Sequence, residues 1–176
     1  MTELTEKSGT RPTARRTKER AVSIVFQKSR GLDVFVDQVA HATPYQIVNL
    51  ERTGVEGVLI RILAKRLDIP STRLVSMLGI AKSSAARKIA AGGTIKASSG
   101  QAAIGMVKLL GIAKEIVAQS TAPEAVNFDA AKWLGRWIER PQPSLGGVKP
   151  ADLLDTPTGV ELVARLLRSI GSGTYQ

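Results

Sequence analysis

Residues 143–167 read PSLGGVKPADLLDTPTGVELVARLL and are the most clearly punctuated part of the chain. The adjacent glycines are typical of a turn, and Pro150 suits the first turn of a short helix because that position needs no backbone N–H. Thr158 and Glu161 have the spacing of a capping box at the head of the last helix. That helix is predicted to end at Gly171 and to bury Val160, Val163, Leu167 and Ile170. The stretch predicts a compact helical module without a catalytic set of residues.

The preceding segment, residues 31–118, reads as a series of helices. Thr43 and Pro44 predict a capped helix start, and Gly54 predicts the end of that helix. The helix before it carries a rough apolar stripe made of Val34, Phe35, Val39 and Ala40. The predicted fold class is therefore all-α, with a helix-turn-helix domain followed by a small helical domain.

The longest helix of this segment is predicted to begin near Ser98 or Ser99 and is apolar on more than one side. A helix that is apolar nearly all round is usually packed between two layers. Gly105 and Gly111 would let another backbone approach closely. Two interpretations remain open, because the second layer belongs either to a second copy of the chain or to the core of a single domain.

The charge and composition restrict the classes of function. The 176 residues carry a formal net charge of +10, and the pI is near 10.3. This excess favours a polyanionic partner, above all nucleic acid, although a basic tail without nucleic-acid binding is the alternative. The chain has no Cys and a single His, His41, which excludes thiolate metal sites and argues against a His-rich metal site or a catalytic triad. We expect neither a cofactor nor an enzymatic activity.

The chain divides into three parts by composition. Residues 1–20 are polar and basic and predict a disordered arm, which either keeps the protein soluble or contacts phosphates. Residues 21–118 are the predicted helix-turn-helix and dimerisation domain, and residues 119–176 are the C-terminal module. No apolar run reaches the roughly 20 residues needed to span a bilayer, and the N-terminus lacks the apolar core of a signal peptide. We therefore expect a cytoplasmic protein that does not contact membranes.

Residues 71–89 have the pattern of a helix-turn-helix. Gly79 suits the left-handed backbone of the turn, and apolar residues on both sides of it would hold the two helices together. The second helix would then present to DNA the polar residues Lys82, Ser83, Ser84, Arg87 and Lys88. Its first residues would meet base edges in the major groove, and its basic residues would meet phosphate or guanine. The alternative is a corner of a helical bundle that serves packing alone.

The C-terminal segment resembles the toxin-binding domain of the Xre/MbcA/ParS family of bacterial antitoxins. The matching positions, in order, are Trp133-Leu134, Pro141, Leu145-Gly146-Gly147, Pro150, Leu153-Leu154, Thr156, Gly159, Val163, Leu166-Leu167 and Gly173-Thr174-Tyr175. Residues 43–117 resemble the Xre-like helix-turn-helix domain of the same family. The basic arm lies outside the resemblance.

The resemblance implies the antitoxin of a type II toxin–antitoxin system. Its partner would be a RES-domain toxin that degrades NAD⁺, or a related NAD⁺-using toxin. The antitoxin would not be an enzyme, would form a homodimer within a toxin–antitoxin hetero-oligomer, and would repress its own operon by binding operator DNA. Two alternatives remain, namely a transcription regulator without a toxin partner and an antitoxin that no longer binds DNA.

The resemblance also indicates where the toxin would bind. The extreme C-terminus is expected at or near the entrance of the toxin's active site, which singles out Gly173, Thr174, Tyr175 and Gln176. Arg165 and Arg168 lie three residues apart on the last helix, either as a solvated face or as partners of acidic groups on the toxin. Trp133 and Trp137 lie four residues apart on one helix and are interpreted as core residues, with a binding hot spot as the alternative.

Overall fold

The computed structural model describes residues 23–81 and 92–171, and these residues form a helical fold. Two short segments, β1 (Val55–Glu56) and β2 (Thr94–Ile95), pair in antiparallel fashion. The all-α prediction is confirmed. The helices of the described residues are α1 (Gly31–Ala40), α2 (Pro44–Thr53), α3 (Val58–Leu67), α4 (Ser71–Met77), α5 (Ala97–Gln119), α6 (Ala130–Ile138) and α7 (Pro157–Gly171).

Helix α5 lies at the centre of the molecule. It packs against α1, α2, α6 and α7, and its apolar side chains belong to one continuous hydrophobic cluster. Gly105 faces Val160 of α7 so closely that a Cβ there would lie 2.8 Å from the valine methyl groups. Most of the apolar residues round α5 are therefore buried by neighbours in the same chain, whereas Ile116 and Val117 near its end are partly buried. The homodimer stays a prediction, since α5 does not require a second copy for its burial.

The first half of the predicted helix-turn-helix is formed as expected. Helix α4 ends before Gly79, whose φ of +60° is left-handed. The Ile80 N–H donates to the Val75 carbonyl at 3.0 Å, and Leu78 is fully buried. Residues 82–91, which include the proposed DNA-binding residues Lys82, Ser83, Ser84, Arg87 and Lys88, lie outside the described part of the chain. Their role in DNA binding stays a prediction.

The apolar stripe predicted for helix α1 is partly wrong. Val34 is 42% exposed and Ala40 is also exposed, so these two residues do not face the core. The buried face consists of Leu32, Phe35, Val36 and Val39. These positions follow the i, i+3, i+4, i+7 spacing of a single helical face, which the predicted stripe did not.

The start of α7 corrects a second prediction. The helix begins at Pro157, and the Gly159 N–H donates to Thr156 Oγ1 at 3.1 Å. Thr156 is therefore the capping residue, and the predicted capping box of Thr158 and Glu161 is wrong. Proline is favoured at the first helical position because it has no N–H to leave unpaired, and this shifts the helix start upstream of Thr158.

The remaining short elements follow the sequence pattern. Thr43 caps α2 through a full capping box with Gln46. The predicted short helix at Pro150 is a single 3-10 turn, Pro150–Leu153.

Among residues 23–81 and 92–171, no helix is both long enough and apolar enough to cross a membrane.

Candidate functional site

The described part of the C-terminal module, residues 119–171, packs directly on the N-terminal helices. Gly135 of α6 lies against the Leu67 carbonyl at the end of α3, where a Cβ would collide with the main chain. Only a residue without a side chain allows this approach. The module is therefore held in close backbone contact with the helices that precede the predicted DNA-reading segment.

One ion pair at this junction also caps a helix. Arg66 Nη1 donates to Asp129 Oδ1 at 2.7 Å, and the same oxygen accepts from the N–H groups of Ala131 and Lys132 at 3.1 Å each. Burial tends to raise the pKa of Asp129, but the hydrogen bonds from Lys132 and Arg66 outweigh it and the pKa is lowered. Asp129 thus stabilises the start of α6 and joins it to α3 as long as it is ionised.

A second ion pair links the module to α4, the first helix of the predicted helix-turn-helix. Arg73 donates to both carboxylate oxygens of Glu139, at 2.6 and 3.0 Å, and its Nη2 lies 3.5 Å from Asp152. The hydrogen bond from Arg73 holds the pKa of Glu139 below its usual value, although burial opposes this. The hydrogen bond to Glu139 likewise raises the pKa of Arg73. A bidentate arginine–carboxylate pair fixes orientation as well as distance, so α4 and α6 have a defined mutual geometry.

The outer face of α7 carries the predicted toxin-contacting arginines. Arg165 and Arg168 are both exposed, and Arg168 Nη1 lies 4.0 Å from Glu161, with both side chains more than half exposed. Such a pair contributes little to stability. Both guanidinium groups are accessible to a partner, and their role in toxin binding stays a prediction. Gly173, Thr174, Tyr175 and Gln176 lie outside the described residues.

An apolar hollow of about 300 Å³ lies where the C-terminal ends of α5 and α7 meet the connection between α5 and α6. Phe128 and Trp133 stand on its wall with ring centroids 6.2 Å apart, and Trp133 stacks on Trp137 at 5.9 Å. Trp137 is buried, as predicted, whereas Trp133 is only partly buried. The described residues that line the hollow are Ile116, Val117, Ser120, Ala122, Ala125, Phe128, Trp133 and Ile170.

Sequence reasoning did not identify this hollow. Its walls come from three separate parts of the chain, and the one available signal was the pair of large apolar residues Val126 and Phe128 in the connection before α6. Val126 is 84% exposed and Phe128 is 42% exposed. Among the residues that the structure describes, no group of three His, Cys, Asp or Glu side chains lies close enough to hold a metal ion.

Known proteins are similar to this chain in two respects: one family matches the C-terminal module, and one relative matches most of the chain. Residues 125–173 match the family described as the antitoxin Xre/MbcA/ParS C-terminal toxin-binding domain. The chain is also 30% identical over 134 residues to the Prs ADP-ribosylating antitoxin of Sphingobium sp. (strain YBL2). That alignment covers 76% of this chain and 83% of the relative.

Proposed function

Because the chain belongs to the Xre/MbcA/ParS family of antitoxins, we propose that it binds and neutralises a RES-type toxin that degrades NAD⁺. We further propose that it represses its own operon by binding operator DNA. The antitoxin role follows from family membership. The class of toxin, the chemistry of the toxin and the binding of DNA are the finer parts of the proposal.

The observation that carries the toxin-binding role is the match of residues 125–173 to a toxin-binding domain. The structure is consistent with such a role, since this module presents an outward face on α7 with two accessible arginines. Exposed guanidinium groups form bidentate contacts with carboxylates readily. We therefore propose Arg165 and Arg168 as contacts for acidic groups of the toxin.

The proposed NAD⁺ chemistry has support from the relative. Its name includes ADP-ribosylation, a reaction in which ADP-ribose is transferred from NAD⁺ and NAD⁺ is consumed. A toxin that hydrolyses NAD⁺ uses the same substrate with water as the acceptor. Measurement of NAD⁺ loss together with ADP-ribose attached to protein would distinguish these two chemistries.

We propose that the antitoxin inhibits the toxin by physically blocking its active site and not by catalysing a reaction. In this proposal, residues 172–176 reach the entrance of the toxin's active site. Fixing each of these residues would cost about 1–2 kcal/mol of ordering entropy, so they must make compensating contacts. Tyr175 offers a large amphipathic ring for this purpose. Since the helices would supply most of the interface, the tail would contribute more to inhibition than to affinity.

Deletion of residues 172–176 tests this mechanism. We expect the truncated protein to fold and to bind operator DNA as the full chain does, because Gly171 ends α7. Its inhibition of NAD⁺ consumption by the purified product of the neighbouring toxin gene should weaken more than its affinity for that product. Full inhibition by the truncated protein at equal occupancy would show that the helical surface blocks the toxin instead.

DNA binding is proposed from the net charge of +10 and from the left-handed turn at Gly79 after α4. A homodimer would place two such elements on successive half-sites of an operator. Replacement of Lys82, Arg87 and Lys88 together by Ala should weaken operator binding. The slope of log K against log salt should fall by about 0.9 for each phosphate that the variant no longer neutralises. Toxin neutralisation should survive, and unchanged operator binding would contradict the assignment.

A further inference from the structure

The hollow beside Trp133 has a mainly apolar lining that suits the binding of apolar side chains. Its volume of about 300 Å³ is roughly twice that of a protein cavity able to hold a benzene molecule. Among the described residues that line it, the Ser120 hydroxyl and the Trp133 indole N–H are the only polar side-chain groups. A small polar metabolite would need several converging polar groups for recognition. One or two apolar side chains of a protein partner suit this hollow better.

The connection before α6, which contributes Ala125 and Phe128 to the hollow, carries two exposed apolar side chains. Phe128, which is 42% exposed, stands on the wall of the hollow. Val126, two residues earlier, is the most exposed of the large hydrophobic side chains in the described part of the chain, at 84%. Exposed aromatic and aliphatic groups around an apolar concavity are typical of the centre of a protein interface. Burial of these two side chains by a partner would be favourable in proportion to the apolar area removed from water.

The geometry points to this hollow as the docking site for an apolar anchor of the cognate toxin, a surface distinct from the outer arginines of α7. The inference rests on the proposed function. Four of its lining residues, Ala125, Phe128, Trp133 and Ile170, lie within the segment that matches the toxin-binding domain. Ile170 also belongs to the last turn of α7, directly before the five residues proposed to enter the toxin. One toxin molecule would thus contact the hollow and the tail as a continuous surface.

The test compares a rim variant with a matched control in the same module. Val126→Glu adds a charge to an exposed residue that directly follows Ala125 and lies two residues before Phe128, both of which line the hollow. Val148→Glu makes the same change at a residue that is 42% exposed and that, unlike Val126, is not a sequence neighbour of any residue lining the hollow. We expect Val126→Glu to weaken binding of the purified toxin-gene product at least tenfold by calorimetry, because the charge must be desolvated in an apolar contact. Val148→Glu should stay within twofold of the parent.

A second variant, Phe128→Ser, removes the aromatic wall and should weaken toxin binding by a similar factor. Thermal melting of each free protein checks that the fold survives, and Val126→Glu alone is sufficient if Phe128→Ser melts early. Parent-like affinity of Val126→Glu for the toxin would overturn this inference while leaving the antitoxin role intact. Failure of the parent protein to bind the toxin would instead overturn the proposed function, and this inference with it.

Two other occupants of the hollow give different results. If a second copy of this chain fills it, Val126→Glu will lower the molar mass of the free protein in light scattering. If residues 172–176 of the same chain fill it, their deletion will shift the tryptophan emission of the free protein to longer wavelength in a variant that keeps Trp133 but carries Trp137→Phe. Either result, with toxin affinity unchanged in Val126→Glu, would overturn the proposed assignment.

Discussion

Replacement of Gly135 by Ala tests the close approach between the C-terminal module and the N-terminal helices. A Cβ at this position would collide with the Leu67 main-chain carbonyl at the end of α3. A flexible side chain could rotate away from the new methyl group, but a carbonyl at a helix end cannot. Helices α3 and α6 would therefore have to move apart.

Two opposing contributions determine the magnitude of the effect. Overpacking in a well-packed interior costs typically 1–3 kcal/mol, and contact with fixed backbone places this substitution at the upper end, near about 3 kcal/mol. Ala improves helix propensity over Gly by about 1 kcal/mol. The expected net loss in the free energy of unfolding is about 2 kcal/mol, which lowers the melting temperature by roughly 4–8 °C in a protein of this size.

Urea unfolding followed by circular dichroism would measure this loss, with Gly111→Ala as the control. Gly111 also lies inside a helix, but a Cβ there would meet Ala40 and Val36 at 3.6 Å, which is ordinary contact. Gly111→Ala should therefore keep or slightly raise the free energy of unfolding. If Gly135→Ala were as stable as Gly111→Ala, the close packing of α6 on α3 would be refuted.

Two further predictions concern the capping of α7 and the response to acid. Thr156→Ala should lower the free energy of unfolding by about 1 kcal/mol, whereas Thr158→Ala should change it little, and equal effects in urea unfolding would contradict the assigned cap. The pKa values of Asp129 and Glu139 are lowered in the folded protein, so their contribution to stability is present above the ordinary carboxylate pKa of about 4 and is lost as the pH falls through the lowered values. Glu139→Gln should therefore lower stability at pH 6 more than at pH 3, and an equal loss at both pH values would show that the pair with Arg73 contributes nothing through its charge.

Local signals predicted several elements correctly because their physics involves only neighbouring residues. The capped start at Thr43 and Pro44, confirmed with Gln46 as the partner, depends on atoms three residues apart. The left-handed Gly79 depends on its own backbone. The capping box at Thr158 failed although its pattern is present, since Pro157 directly before it is a stronger helix start. Pro157 and the Thr158–Glu161 spacing each predict a helix start, at different residues. The spacing of residues alone does not tell which of the two starts the folded chain adopts.

The candidate site required contacts that no local pattern contains. Arg73 and Glu139 are 66 residues apart in the chain, and nothing near either residue indicates the other. The hollow combines residues from the end of α5, the connection at Phe128 and the end of α7. Neither residue composition nor helical periodicity specifies which helix ends meet.

The sequence by itself determined the helical fold class, the family and the general position of the toxin-binding module. Helical periodicity, helix caps and the order of the residues that match the family are all patterns of the linear sequence. Only the tertiary structure decided that α5 is buried by its own chain, that Phe128 lines an apolar hollow and that Val126, two residues earlier, is exposed. Apolar patterning specifies that a helix face must be buried, but not by which surface. The choice of that surface depends on steric fit and ion pairs between distant residues, such as Gly135 against Leu67 and Arg73 with Glu139.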